Sequence, residues 1–363
     1  MNLKTIAKLA GVSTVTVSNV INGKYHKASK DTVKRIQQIV EETHYQPNAT
    51  ARSLIMKRSR IIGVVIPNLG PEECFSVSPY NTQILGHLDR YIRNQGYYMM
   101  LHCVIESADV LPSFANWNID GALLLGVAEK DALQLHKQLK IPAVFVDTYS
   151  QDPALATVQV EDRQGGYLAG KYLLDQGHRC IAFVSPSTKY PGVMQERYLG
   201  FCEALQERGL TQPVERCFTI GKTLYEQGVQ VGRQIADNPE YTAVAAMADV
   251  LALGVMEGLR QGGRRVPEDV SVIGFDDLPE GRYAHPKLTS ISQHMEEKAR
   301  CAGEYLFSML QEDTAVTGSR IVGVELVERQ SVAARVPDDS PNPEPAQPSA
   351  CGNAAEESIQ KRG

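Results

Sequence analysis

The chain has 363 residues, a net charge of −5, 43% hydrophobic and 22% charged residues. That length predicts two or three domains, and the composition is that of a globular protein able to bury a core without disulfides or metals. No apolar run reaches the roughly 18 residues needed to span a bilayer, and the start, MNLKTIAKLAGVS, lacks an apolar signal core, so membrane and secreted classes are disfavoured and the cytoplasm is expected. The seven cysteines form no CxxC pair, which argues against a zinc ribbon or a disulfide framework.

The first sixty residues hold eleven Lys/Arg against three acids, leaving them at +8 while the rest of the chain stands at −13. A basic module on an acidic body suits a polyanionic partner, although charge alone is equally compatible with a solvated basic surface. Within this module Thr5–Leu9 reads as a short helix with Ile6, Ala7, Leu9 and Ala10 inward, broken at Gly11-Val12. Ser13 is a suitable cap for a second helix, Thr14 to Ile21, stopped by Asn22-Gly23. Ser29 caps a third, reaching about Thr43. Two short helices on a tight turn with a supporting third describe a helix-turn-helix module. Thr14, Val15, Thr16, Ser18 and Asn19 are left facing outward. Asn19 is able to bond adenine bidentately, and Val15 or the Thr14 methyl to touch a thymine methyl. A three-helix bundle that binds protein is the competing reading of the same pattern.

From residue 61 the texture changes. Apolar runs at 61–66, 98–104, 121–125, 143–146, 181–184, 244–247 and 270–274 alternate with helical stretches at 83–95, 165–176, 196–208 and 251–261. Such runs are buried parallel strands of βαβ units. Their number predicts two lobes in tandem, and a ligand beyond the carboxyl ends of their strands. From Val336 onward five prolines and no aromatics predict a disordered tail over 336–363.

The segments LKTIAKLAGVSTVTVSNVING and Tyr45-Gln-Pro-Asn48-Ala-Thr-Ala51-Arg52-Ser-Leu54 resemble the N-terminal region of the lac repressor/galactose repressor family of bacterial regulators. The resemblance continues through the GYLAGKYLLDQGH run at 166–178, Arg197-Tyr-Leu-Gly200-Phe, Val272-Ile-Gly-Phe-Asp276-Asp, Leu288-Thr-Ser-Ile and Glu328-Arg329-Gln-Ser331, and so covers about residues 1–335. It implies an all-α helix-turn-helix domain followed by an α/β two-lobe, periplasmic-binding-protein-like (type I) effector domain. The implied boundaries are 1–46 for the DNA-binding domain, 47–60 for a hinge helix and linker, and 61–335 for the body. Lobe 1 would take about 61–160 and 291–320, and lobe 2 about 161–290 and 321–335. The implied function is repression from a pseudo-palindromic operator by a homodimer under a small-molecule effector.

The resemblance also implies site residues. Thr5, Ser13, Thr14, Val15, Thr16, Ser18, Asn19, Asn22 and His26 would meet DNA, as would the hinge residues Asn48, Ala51, Arg52 and Leu54. Leu54 sits where the family carries a minor-groove wedge, which kinks a duplex by unstacking a base step. Glu161, Arg197, Asp276 and Gln293 would line the effector cleft, and Tyr80, just after Pro79, offers it a stacking face. An arginine among carboxylates can hold hydroxyl pairs or a carboxylate, which suits a sugar, polyol or sugar acid. Two departures reshape that cleft: Ala248-Asp249 replaces the usual Asn-Asp, and 70–80 is longer and more acidic than usual.

Enzymatic readings find little support. Gly221-Lys222-Thr223 hints at a phosphate loop, but the pattern needs glycine at 216, where Arg216 stands. There is no GxSxG or HExxH, and the eight histidines lack ligand spacing. No catalytic residue, metal or cofactor is expected. A two-lobe solute-binding protein is the other alternative, and the basic module argues against it.

Overall fold

The computed structural model describes residues 2–21, 23–43, 58–66, 74–105, 109–189, 191–312 and 317–335. Asn22, Asn48, Ala51, Arg52, Leu54 and the 336–363 tail lie outside the described residues.

Among the described residues the basic module has three helices: α1 (Leu3–Ala10), α2 (Thr14–Ile21) and α3 (Lys30–Glu42). Each begins at a polar cap. Asn2 Oδ1 accepts the Thr5 N–H at 2.9 Å, Ser13 Oγ that of Thr16 at 3.1 Å, and Ser29 Oγ that of Thr32 at 3.3 Å. Gly11, at φ 63, turns the chain out of α1 in the left-handed conformation that costs glycine least. Ile6, Ala7, Ala10, Val17, Val20 and Ile36 form the core. Leu9, expected inward, is 56% exposed, because the stripe that meets α2 and α3 is Ile6–Ala7–Ala10 and Leu9 falls outside it.

Among the described residues the body consists of two six-stranded sheets. The first, in lobe 1, has the order β11-β5-β4-β3-β1-β2 and is wholly parallel. Its strands are β1 (Ile61–Ile66), β2 (Tyr98–Cys103), β3 (Gly121–Leu125), β4 (Ala143–Val146), β5 (Ala156–Val160) and β11 (Gly318–Val322). The second, in lobe 2, has the order β12-β10-β9-β8-β6-β7, parallel except where β12 joins β10. It is built from β6 (Ile181–Pro186), β7 (Cys217–Ile220), β8 (Ala243–Ala246), β9 (Ser271–Asp276), β10 (Thr289–Ser292) and β12 (Glu325–Val327). Continuous apolar strands such as β3, β4 and β8 are buried along their whole length because helices cover both faces.

Lobe 1 carries α4 (Pro79–Asn94), α5 (Val110–Trp117), α6 (Glu129–Gln138) and α12 (Met295–Glu312). Lobe 2 carries α7 (Asp162–Asp175), α8 (Val193–Gln206), α9 (Tyr225–Ala236), α10 (Asp249–Gln261) and the short α11 (Pro279–Tyr283). The chain passes between the sheets after β5, after β10 and after β11. The second and third passages fall two residues beyond 290 and 320, because Ser292 still pairs with Asp276 and Val322 with Val160. No helix among the described residues is long and apolar enough to cross a membrane.

Candidate functional site

On the basic module, α2 presents Val15, 67% exposed, beside the partly exposed Thr14, Thr16, Ser18 and Asn19. Val17 and Val20 anchor the opposite face. Ser13 and Thr16 also share a hydroxyl contact of 2.9 Å, and Thr5 gives both its N–H and its hydroxyl to Asn2. His26 lies in an exposed single turn, Tyr25–Lys27, after α2. A helix that buries valines on one side and shows small, β-branched and amide groups on the other has the shape and chemistry to enter a major groove.

In the body, the carboxyl ends of both sheets face a cavity of about 450 Å³. Lobe 1 supplies Tyr80, Glu129, Asp147 and Tyr149 to its lining; lobe 2 supplies Ser187, Met194, Arg197, Thr223 and Asp276; Gln293, in the passage after β10, completes it. Two of them reach it from backbone that side chains rarely adopt, φ being 59 at Asp147 and 122 at Asp276, and the adjoining Asp277 and His294 share that conformation at φ 57 and 47. Each such residue costs about 1–3 kcal/mol, and they gather where β4, β9 and β10 end.

Arg197 is the floor of the lobe 2 wall. Its guanidinium is 4% exposed, with Nε donating to Asp162 Oδ1 at 2.8 Å and NH1 to the Met247 carbonyl at 2.7 Å. It stacks 3.6 Å above the Phe275 ring, and Asp276 Oδ1 is 4.0 Å away. Burial raises the Asp162 carboxyl, against the pull of Arg197. Asp276 is raised to about 6, again by burial first, with Arg197 and the Gln293 bond opposing. Tyr149 gives its hydroxyl proton to Asp162 at 2.6 Å.

On the lobe 1 side, Tyr80 donates its hydroxyl proton to Asp147, and burial followed by that carboxylate pushes the phenol well up. Lys298, in the first turns of α12 and fully buried, pairs with Asp147 and lies 2.9 Å from both Tyr80 Oη and Gln293 Oε1. The Gln293 amide nitrogen in turn donates to Asp276. A continuous polar chain therefore runs from Tyr80 through Lys298 and Gln293 to the lobe 2 carboxylate.

Of the expected cleft residues, Tyr80, Arg197, Asp276 and Gln293 come together around the cavity. Glu161 does not. It is exposed at the head of α7, and its neighbour Asp162, fully buried, takes the Arg197 contact. One residue at a helix start decides which carboxylate turns inward. Asp147, Tyr149, Asp162 and Lys298 went unnoticed in the sequence, although a carboxylate closing the apolar strand AVFV is a signal for Asp147, and a lysine within the apolar stripe Met295–Ala299–Ala302 one for Lys298. The Asn-to-Ala departure leaves Ala248 on the lining, while Asp249 is wholly buried, accepting from Leu278 N–H and the Ser290 hydroxyl. Burial, then Asp276, raises its pKa well above the carboxylate range. Among the described residues no three His, Cys, Asp or Glu side chains gather to hold a metal.

Residues 2–48 match the family of bacterial regulatory proteins of lacI type, and residues 171–332 the periplasmic binding protein-like domain. The HTH-type transcriptional repressor PurR of Mannheimia succiniciproducens is 33% identical over 338 residues, covering 91% of this chain and 98% of that protein. The lac repressor dimer bound to operator and the anti-inducer ONPF superposes with a TM-score of 0.78 at 25% identity, over 92% of this chain and 99% of that one. The transcriptional regulator CelR in complex with cellobiose does so with a TM-score of 0.68 at 27% identity, over 91% and 99%. The chain belongs to the lacI family of bacterial regulatory proteins, as a transcriptional repressor and not an enzyme.

Proposed function

We propose that the protein works in the cytoplasm as a homodimer that binds a pseudo-palindromic operator and answers to a sugar, polyol or sugar acid held between its lobes. Thr14, Val15 and Asn19 are the base-reading set on α2. Thr5, Ser13, Thr16, Ser18, Asn22 and His26 serve as backbone and supporting contacts, and Asn48, Ala51, Arg52 and Leu54 form the hinge. Two copies related by a twofold axis would place two α2 helices on successive major-groove faces, which requires a palindromic site.

The observation that carries the effector half is the cavity itself. Tyr80 and Asp147 of one lobe face Arg197 and Asp276 of the other across about 450 Å³, a volume suited to a small ligand. Carboxylate oxygens and a guanidinium are the groups that read hydroxyls pairwise. A ligand touching both walls binds one lobe geometry better than another, and that difference is what couples it to the hinge.

The test is selection of binding sites from a random duplex library with the full-length protein, followed by anisotropy on the recovered site. A palindrome is expected, with affinity shifting at least tenfold on addition of one member of a panel comprising cellobiose, sorbitol and gluconate. A motif without symmetry would refute the dimeric reading, and no motif at all would refute sequence recognition. A palindrome insensitive to all three would refute the sugar-type effector.

A further inference from the structure

Lys298 has no side-chain surface on the cavity, yet the three residues it touches all line it. An ammonium group only donates, and it has three N–H bonds. Its partners number three: Tyr80 Oη and Gln293 Oε1 at 2.9 Å each, and the Asp147 carboxylate. The protons of the neighbours follow from that. Tyr80 accepts from Lys298 and so turns its own proton to the second oxygen of Asp147. Gln293 turns its carbonyl to Lys298 and so offers its amide nitrogen to Asp276 on the other lobe. Asp147 only accepts. The Lys298 ammonium also lies 5.1 Å from the centre of the Tyr80 ring, so the ring and hydroxyl are held together.

A lysine this deep needs a reason, since an unpaired buried cation is among the costliest groups a fold can hold. The neighbouring inward positions of α12, Met295, Ala299 and Ala302, are apolar. We infer that Lys298 is a positioning residue that fixes the charge and the donor–acceptor pattern of the cleft, and with it which ligands the cleft prefers. The inference rests on the reading of the cleft as the effector site. Without Lys298, the Gln293 amide is free to exchange its oxygen and nitrogen, whose shapes are nearly the same, and the Tyr80 hydroxyl is free to rotate. The lobe 2 partner of that amide, Asp276, would then face an acceptor as readily as a donor.

Calorimetry on the full-length protein tests this with cellobiose, sorbitol and gluconate as probes. Lys298→Met alone strands the Asp147 charge, so the comparison is between Asp147→Asn, whose amide oxygen still accepts from Lys298 as Tyr80 and Gln293 do, and Asp147→Asn/Lys298→Met, with a cooperative melting transition required of each. The expected result is a change of at least tenfold in the affinity of one probe relative to the others, non-binding being counted at the highest concentration used. A lysine serving stability alone moves the melting temperature and leaves those ratios within twofold, and that outcome overturns the inference. If the unaltered protein binds none of the three probes, the cleft reading fails and this inference with it. If it binds them but the ratios stay fixed, only the role of Lys298 fails.

Discussion

Val15 is 67% exposed at the start of α2, and Asn19 lies one turn further along. An exposed valine in a short helix gains nothing for the fold, whereas a thymine methyl gives it an apolar contact. Asn19 has the geometry to take both the N6 and N7 edges of an adenine, worth about 1–3 kcal/mol of discrimination per half-site. Asn19→Ala should therefore flatten base preference at one position of each half-site in a repeated selection. An unchanged preference there would remove Asn19 from the reading set. Val15→Ala should act more weakly and at a neighbouring position, because a methyl contact carries less energy than a bidentate pair. At the same scale the cleft shows why neighbouring residues diverge: Glu161 and Asp162 are chemically alike, and only the phase of the α7 start turns Asp162 to Arg197.

The α7 and α8 helices show what holds that phase. Gly166 and Gly200 sit where these helices cross: a Cβ on Gly166 would collide with the backbone of Arg197, and one on Gly200 with the backbone of Arg163. The close crossing brings Arg197 to within 2.8 Å of Asp162. Gly166→Ala should push α8 outward, costing about 1–3 kcal/mol as overpacking does, and should open the Arg197–Asp162 bond. The check is a lowered urea midpoint together with loss of the response to whichever probe shifts operator affinity in the unaltered protein; an intact midpoint would mean that the helices part without strain. In the sequence the GYLAG run was legible as a resemblance but its purpose was not, since close backbone approach depends on which helix lies opposite. The long apolar strands and the helix caps Ser13 and Ser29 were legible because they depend on local pattern. The edge strands β7, β11 and β12 were not, being short, polar on one face and defined by partners far away in the chain. The body helices read from the sequence start two to four residues late, as at Pro79, where Ser78 caps and proline opens α4.

Stability against pH belongs to the whole molecule, and two buried groups of lobe 2 pull it in opposite directions. His178 bonds the Thr242 hydroxyl at 3.1 Å and the Ala333 carbonyl at 3.2 Å, tying the last described segment to the sheet. A carbonyl only accepts, so Nε2 carries a proton there. Burial lowers its pKa from 6.5 to about 4. The unfolded chain therefore binds the extra proton first, and stability due to His178 falls as pH drops from 6.5 towards 4. Asp276 is the converse case, raised from 3.8 to about 6 by burial. The folded chain binds that proton first, so its contribution to stability grows as pH falls from 6 towards 4. Melting temperatures of the protein, His178→Asn and Asp276→Asn at pH 4 to 8 separate the two. The difference between the unaltered protein and His178→Asn should shrink on acidification below pH 6.5 and stay level above pH 7. The melting temperature of the unaltered protein should rise relative to that of Asp276→Asn below pH 6, because only the unaltered protein gains from protonating the cleft. Parallel curves for both variants would mean that neither group changes its proton affinity on folding, and that the cleft carboxylate is hydrated and not held in the buried chain from Arg197 to Lys298.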